Sequence, residues 1–115
     1  METILVVDDS EPLRRLMVRA LARAGFSVID APSAQLAITL AEKSPAPPRV
    51  LVTDLAMPGM GGEELAAHLT EINSDLRVLF TSGRAPSKKC AFLAKPFAPS
   101  DLVSRVRAML SADEA

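Results

Sequence analysis

Two hydrophobic spacings alternate along this chain. Residues 3–7, "TILVV", form an unbroken apolar run ending at Asp8 and Asp9, the form of a strand buried on both faces. Ser10 and Pro12 then mark a helix start. Leu13, Leu16, Met17, Ala20, Leu21 and Ala24 follow at spacings of three and four, and Gly25 stops the pattern. "FSVID" (26–30) predicts a second strand. Ser33 predicts the cap of a helix running to about Lys43, with Leu36, Ala37, Leu40 and Ala41 on its inner face. The prolines of "SPAPP" (44–48) impose a loop, and "VLVTD" (50–54) is a third apolar strand ending in Asp. The same reading predicts a third helix over 63–72 that buries Leu65, Leu69 and Ile72, and strands over 77–82 and 90–93. A last helix begins near Ser100 and buries Leu102, Val103, Val106 and Leu110.

Strands that alternate with helices, the first and third almost wholly apolar, imply a parallel sheet covered on both sides. The fold class is therefore α/β, expected as a single domain over residues 1–115. With neither Trp nor Tyr, the core must be aliphatic, its largest members four Phe residues. Net charge is -1 and the 13 basic residues are scattered, which argues against a nucleic-acid face. One Cys excludes an internal disulfide and suits a reducing compartment. No apolar run approaches the roughly 20 residues that span a bilayer. The opening "METILVVDD" carries acids where a signal peptide needs bases. A soluble cytoplasmic domain without nucleic-acid or membrane partners is expected.

The chemistry gathers at strand ends. In an open parallel sheet, ligands bind outside the carboxyl ends of the strands, where strand order reverses. Asp8 and Asp9 close the first strand and Asp54 closes the third. Carboxylates crowded on one edge repel each other unless a cation neutralises them. Such a set with open positions suits Mg²⁺, which keeps several waters and accepts a phosphate oxygen. Ser82 ends the fourth strand, and Lys95 follows the fifth, just before Pro96. A hydroxyl donor and a point-charge ammonium suit phosphoryl oxygens. Together these groups predict phosphoryl transfer onto an Asp.

The residues "VVDD" with Asp8 and Asp9, "DLAMPGMGG" with Asp54, "TSG" with Ser82 and "KPF" with Lys95 occur in an order that resembles a response-regulator receiver domain of two-component signalling. The resemblance covers essentially the whole chain and implies a flavodoxin-like, doubly wound five-stranded sheet of order 2-1-3-4-5. It implies that Asp54 accepts a phosphoryl group from a phosphohistidine of a sensor histidine kinase or a histidine phosphotransfer protein. Asp8, Asp9 and Asp54 would bind Mg²⁺ with the backbone carbonyl of Ala56. Ser82 would hydrogen-bond the phosphoryl group as part of a switch with Phe92, an aromatic position that often carries Tyr. Lys95 would pair with the phosphoryl group, and the Lys95–Pro96 peptide would be cis. Ala56 and Arg84 fall where the family tunes phosphoryl lifetime. The protein would be an acceptor that gains and loses its own phosphoryl group rather than a turnover enzyme, either a stand-alone regulator or the receiver part of a hybrid histidine kinase. One alternative is a receiver-like interaction scaffold that does not cycle phosphate. Another is a Mg²⁺-dependent phosphatase, disfavoured because Ala56 stands where that chemistry wants a second Asp.

Several smaller signals have plainer readings. Gly59, Gly61 and Gly62 miss the spacing of a phosphate-cradling P-loop and fit a tight turn into the third helix. His68 lies mid-helix without a second motif, and Cys90 reads as a small core residue.

One departure from the family stands out. Seven residues, 83–89, separate the predicted fourth and fifth strands, where receiver domains carry a full helix. Returning along a strand and stepping sideways requires about 17 Å plus nearly 5 Å. Seven extended residues reach about 23–25 Å. The intervening helix is therefore expected to be absent or at most one turn. Leu79 or Phe92 would lose cover unless something packs there, and the family's output face of fourth helix, fifth strand and last helix would be altered. That altered region is also the candidate surface for a homodimer.

Overall fold

A computed structural model of the chain describes residues 2–83 and 91–114, the last three as backbone only. The elements run β1 (Thr3–Val7), α1 (Glu11–Arg23), β2 (Ser27–Ala31), α2 (Ala34–Lys43), β3 (Val50–Asp54), α3 (Gly62–Ile72), β4 (Arg77–Ser82), β5 (Phe92–Ala94) and α4 (Pro99–Glu114). All neighbouring strands are parallel, in the order β2-β1-β3-β4-β5. This is the expected flavodoxin-like sheet.

The unbroken apolar run of β1 now has its cause. Successive side chains of a strand point to opposite faces, and here both faces are covered. Ile4 and Val6 pack with Val50, Val52, Met17, Leu21, Leu102 and Val106 in the layer of α1 and α4. Leu5 and Val7 pack with Leu51, Ala34, Ala37, Leu65 and Leu69 in the layer of α2 and α3.

The boundaries differ from the pattern where helix caps and ladders claim residues. Gly25 adopts φ +100°, and the Phe26 amide bonds back to the Leu21 carbonyl at 3.2 Å. Phe26 is thus spent in closing α1, so β2 begins at Ser27 rather than at 26. The β4–β5 ladder pairs Phe80 with Phe92 and Ser82 with Ala94, which sets β5 later than 90–93. Ser33 caps α2 as expected, its hydroxyl accepting from the Leu36 amide at 3.3 Å. Ser10 stands at the head of α1 but makes no side-chain cap bond.

Three predicted core residues are instead exposed: Leu16 (43%), Leu36 (42%) and Ile72 (65%). In α2 the buried stripe is rotated onto Ala34 and Ala37, with Ile38 packed beside them. In α3 the stripe is Gly62, Leu65, Ala66 and Leu69; Ile72 ends the helix beside a groove shared with Ala41, Pro47, Pro48 and Leu76. The connection between β4 and β5, where the helix is expected to be absent or at most one turn, falls largely on residues 84–90, outside the described residues. Of the two residues expected to lose cover unless something packs there, Leu79 is fully buried in the α1–α4 layer. Phe92 is half-buried against the opposite layer. Among the described residues, no helix is long and apolar enough to cross a membrane.

Candidate functional site

Parallel strands all present their carboxyl ends on one edge. Because β1 lies between β2 and β3, the chain winds outward in opposite directions from that pair, opening the crevice where ligands bind. Asp8 directly follows β1, and its amide continues the sheet to the Ala31 carbonyl at 3.3 Å. Asp54 is the last residue of β3. Asp8 is fully buried, Asp54 is 8% exposed, and Asp9 is open to solvent. One carboxylate oxygen from each of the three lies within 4.8 Å of the others.

Each buried carboxylate is held at both oxygens. Oδ1 of Asp8 accepts from the Ser10 amide at 2.8 Å, and Oδ2 faces the Lys95 ammonium at 3.3 Å. Oδ1 of Asp54 accepts from the Ala56 amide at 3.2 Å, and Oδ2 faces Lys95 Nζ at 3.2 Å. The Asp54 backbone is fixed as well. The Thr53 hydroxyl donates to its carbonyl at 3.1 Å, and the next amide, Leu55, donates to the Thr81 carbonyl at 3.1 Å. The Gly62 backbone approaches that same Asp54 carbonyl so closely that a Cβ there would overlap it.

Lys95 reaches the two carboxylates from the end of β5. Its amide donates to the Ser82 carbonyl at 2.8 Å, and the following peptide, to Pro96, is cis, as the resemblance implied. Burial by itself would lower the Lys95 pKa. The hydrogen bond to Asp54 and the charges of Asp8 and Asp54 outweigh it, so the ammonium titrates above its ordinary value. The Lys95 ammonium pairs with Asp8 and Asp54, and with Asp9 beside them the three crowded carboxylates exceed its single positive charge. All-oxygen donors of this kind fit a hard divalent cation such as Mg²⁺.

The structure therefore brings Asp8, Asp9, Asp54 and Lys95 together, with Ala56 two residues beyond Asp54. Ser82 lies at the adjoining end of β4, and Phe92 lies in β5. Ser82 and Phe80 share one side of β4 by the period of two, and Phe92 pairs with Phe80 in register. Ser82 and Phe92 thus belong to the same face of the sheet. Arg84 and Cys90 lie outside the described residues, and His68 is exposed on α3.

Sequence reasoning missed three residues here. Gly62 was read only as part of a turn; its location eight residues after Asp54 carries no signal of the close approach. Thr81, register partner of Asp54, is fully buried with no hydrogen-bond partner for its hydroxyl among the described residues. Arg14, to which the sequence pattern assigns no role, crosses to the strand edge: Nη1 donates to the Asp8 backbone carbonyl at 2.8 Å, and Nε to Asp30 Oδ2 at 2.9 Å. Helical spacing places Arg14 one turn after Ser10, which was the available clue.

Comparison with known proteins follows the same lines. The sequence profile of the family described as "Response regulator receiver domain" matches residues 4–107. The response regulator receiver protein CpdR of Brucella abortus is similar at 35% identity over 97% of this chain and 99% of its own length. The sensor kinase CckA of the same organism is 32% identical over 94% of this chain, which spans only 12% of that kinase. A crystal structure of the receiver domain from the hybrid histidine kinase CckA superposes with a TM-score of 0.84 at 30% identity, covering 94% of this chain and 98% of that one.

Proposed function

The chain belongs to the response regulator receiver domain family of two-component systems, and from that premise we propose that Asp54 accepts a phosphoryl group from a phosphohistidine. Receiver domains interact with histidine kinases or phosphotransfer proteins, and either would present the donor here. The observation that carries the reading is the placement of Asp54. It is nearly buried, with one oxygen tied to the Ala56 amide and the other facing the Lys95 ammonium.

The transfer proceeds in line. An Asp54 carboxylate oxygen bonds to phosphorus as the N–P bond breaks. The departing imidazole keeps the N–P electron pair and, protonated on its other nitrogen, leaves neutral. Mg²⁺ held by Asp8, Asp9 and Asp54, with the Ala56 carbonyl, would neutralise charge on the phosphoryl oxygens. Lys95, already placed against Asp54, pairs with one phosphoryl oxygen after transfer. Ser82 shifts toward the phosphoryl group to donate a hydrogen bond to another oxygen, and Phe92, on the same sheet face, couples that movement to the altered surface formed by β4, β5 and α4. That surface is the proposed output and homodimer face. The protein is an acceptor rather than a turnover enzyme, and its lone Cys suits a cytoplasmic setting.

Incubation with Mg²⁺ and acetyl phosphate tests this. One base-labile phosphoryl adduct per chain is expected by intact-mass spectrometry, absent in Asp54→Ala. No adduct would favour a non-cycling interaction scaffold, and turnover of unrelated phosphate esters would favour a phosphatase.

A further inference from the structure

A guanidinium beside crowded carboxylates would ordinarily pair with them. Arg14 does something else. Its side chain is 13% exposed, and its two bonds near the site go to the Asp8 backbone carbonyl (2.8 Å) and to Asp30 (2.9 Å) on the neighbouring strand β2. The carboxylate oxygens of Asp8 are left to the Ser10 amide and Lys95. Arg14 therefore consumes none of the oxygens that a cation would use.

The carbonyl it grips is an informative one. It belongs to the peptide joining Asp8 to Asp9, and a peptide unit is planar and rigid. Holding that carbonyl restrains the plane, and with it the positions of the two Cα atoms lying in it, from which both acidic side chains depart. Asp30 anchors the other side of the guanidinium, so the fork spans from β2 to the β1 end with α1 as its base. A planar guanidinium makes such a two-sided brace; an ammonium is a single point charge.

We propose that Arg14 is the positioning residue of the cation site, orienting the Asp8–Asp9 peptide so that both carboxylates converge with Asp54. The role rests on the proposed Mg²⁺ site, and it has a signature that a purely electrostatic role lacks. By Coulomb attraction alone, removing a positive charge beside the acidic cluster strengthens cation binding. Loss of a brace weakens it. The two accounts differ in sign, not merely in size.

Mn²⁺, which like Mg²⁺ takes oxygen ligands in octahedral geometry, is the probe, titrated into the full chain and followed by the EPR signal of the free ion. Arg14→Met keeps the apolar stem and removes donors and charge; Mn²⁺ affinity is expected to fall about tenfold, as for other residues that orient metal ligands. Arg14→Lys keeps the charge but not the fork, and is expected to fall by a smaller factor. Affinity unchanged or increased in Arg14→Met, with native circular dichroism, overturns the proposal. Should Arg14→Met fail to fold, Arg14→Lys decides, since unchanged affinity there reduces Arg14 to its charge. A wild-type chain that binds no Mn²⁺ sinks the cation site itself and this role with it. A wild-type chain that binds Mn²⁺ and is phosphorylated, beside an Arg14→Met variant of equal affinity, sinks the positioning role alone.

Discussion

Gly62→Ala isolates the close packing that holds the acceptor. Gly62 is the first residue of α3, and its φ is not positive, so alanine meets no backbone prohibition there. The obstacle is purely steric. A Cβ would overlap the Asp54 carbonyl oxygen, and would sit 3.0 Å from the Asp54 carbonyl carbon and 3.2 Å from Leu55 Cα. All three atoms are backbone, and the oxygen already accepts the Thr53 hydroxyl. Relief therefore requires moving either the end of β3 or the start of α3. Alanine gains up to about 1 kcal/mol over glycine through reduced freedom of the unfolded chain. Overpacking against unyielding atoms costs about 1–3 kcal/mol. The net expectation is a loss of about 1–2 kcal/mol, read as a fall of about 1 M in the urea midpoint at unchanged slope. Gly61→Ala, whose Cβ meets only the Leu55 carbonyl at 3.2 Å, should lose less. A Gly62→Ala midpoint at or above wild type would refute the reasoning, because the helix preference would then have outweighed a clash too weak to matter.

Other expectations follow from single residues. Leu69→Ala should cost about 2–5 kcal/mol as a core deletion, whereas Ile72→Ala, at 65% exposure, should stay within about 1 kcal/mol in the same urea assay. Ser33→Ala should cost about 0.5–2 kcal/mol by losing the bond to the Leu36 amide, while Ser10→Ala, with no side-chain cap bond, should change stability little. Lys95 has a folded pKa above its ordinary 10.5. The stability from its pairs is thus complete below that pH and lost as pH rises through the folded value. Unfolding measured across the alkaline range should show this loss in wild type and a flatter limb in Lys95→Met; identical limbs would contradict it.

How much of this could be read from residues depends on what each signal measures. The apolar runs of β1 and β3 were unambiguous because both sheet faces are covered, and Asp8 and Asp54 followed directly as strand-end residues. Lys95 was legible through the residues around it rather than through periodicity. The errors lie where one-dimensional spacing cannot see a neighbour. Leu36 and Ile72 fit a helical stripe in sequence, yet the stripe's rotation is set by how α2 and α3 settle against β1 and β3. Phe26 looked like a strand residue because its apolar character does not reveal that its amide closes α1. Gly62 and Arg14 depend on contacts across the fold, a backbone approach in one case and, in the other, a carbonyl six positions back together with a carboxylate sixteen positions on. Only the assembled sheet brings these together.

The most direct test of the central claim starts from a histidine phosphotransfer protein carrying labelled phosphohistidine. After mixing with this chain, label is followed on the intact proteins, and the acyl phosphate site is located separately by borohydride reduction, which releases phosphate and leaves homoserine for peptide mass spectrometry. Label should leave the histidine and appear on Asp54, only when Mg²⁺ is present, and not at all in Asp54→Ala. Label that stays on the histidine, or that arrives at any other residue, contradicts the account.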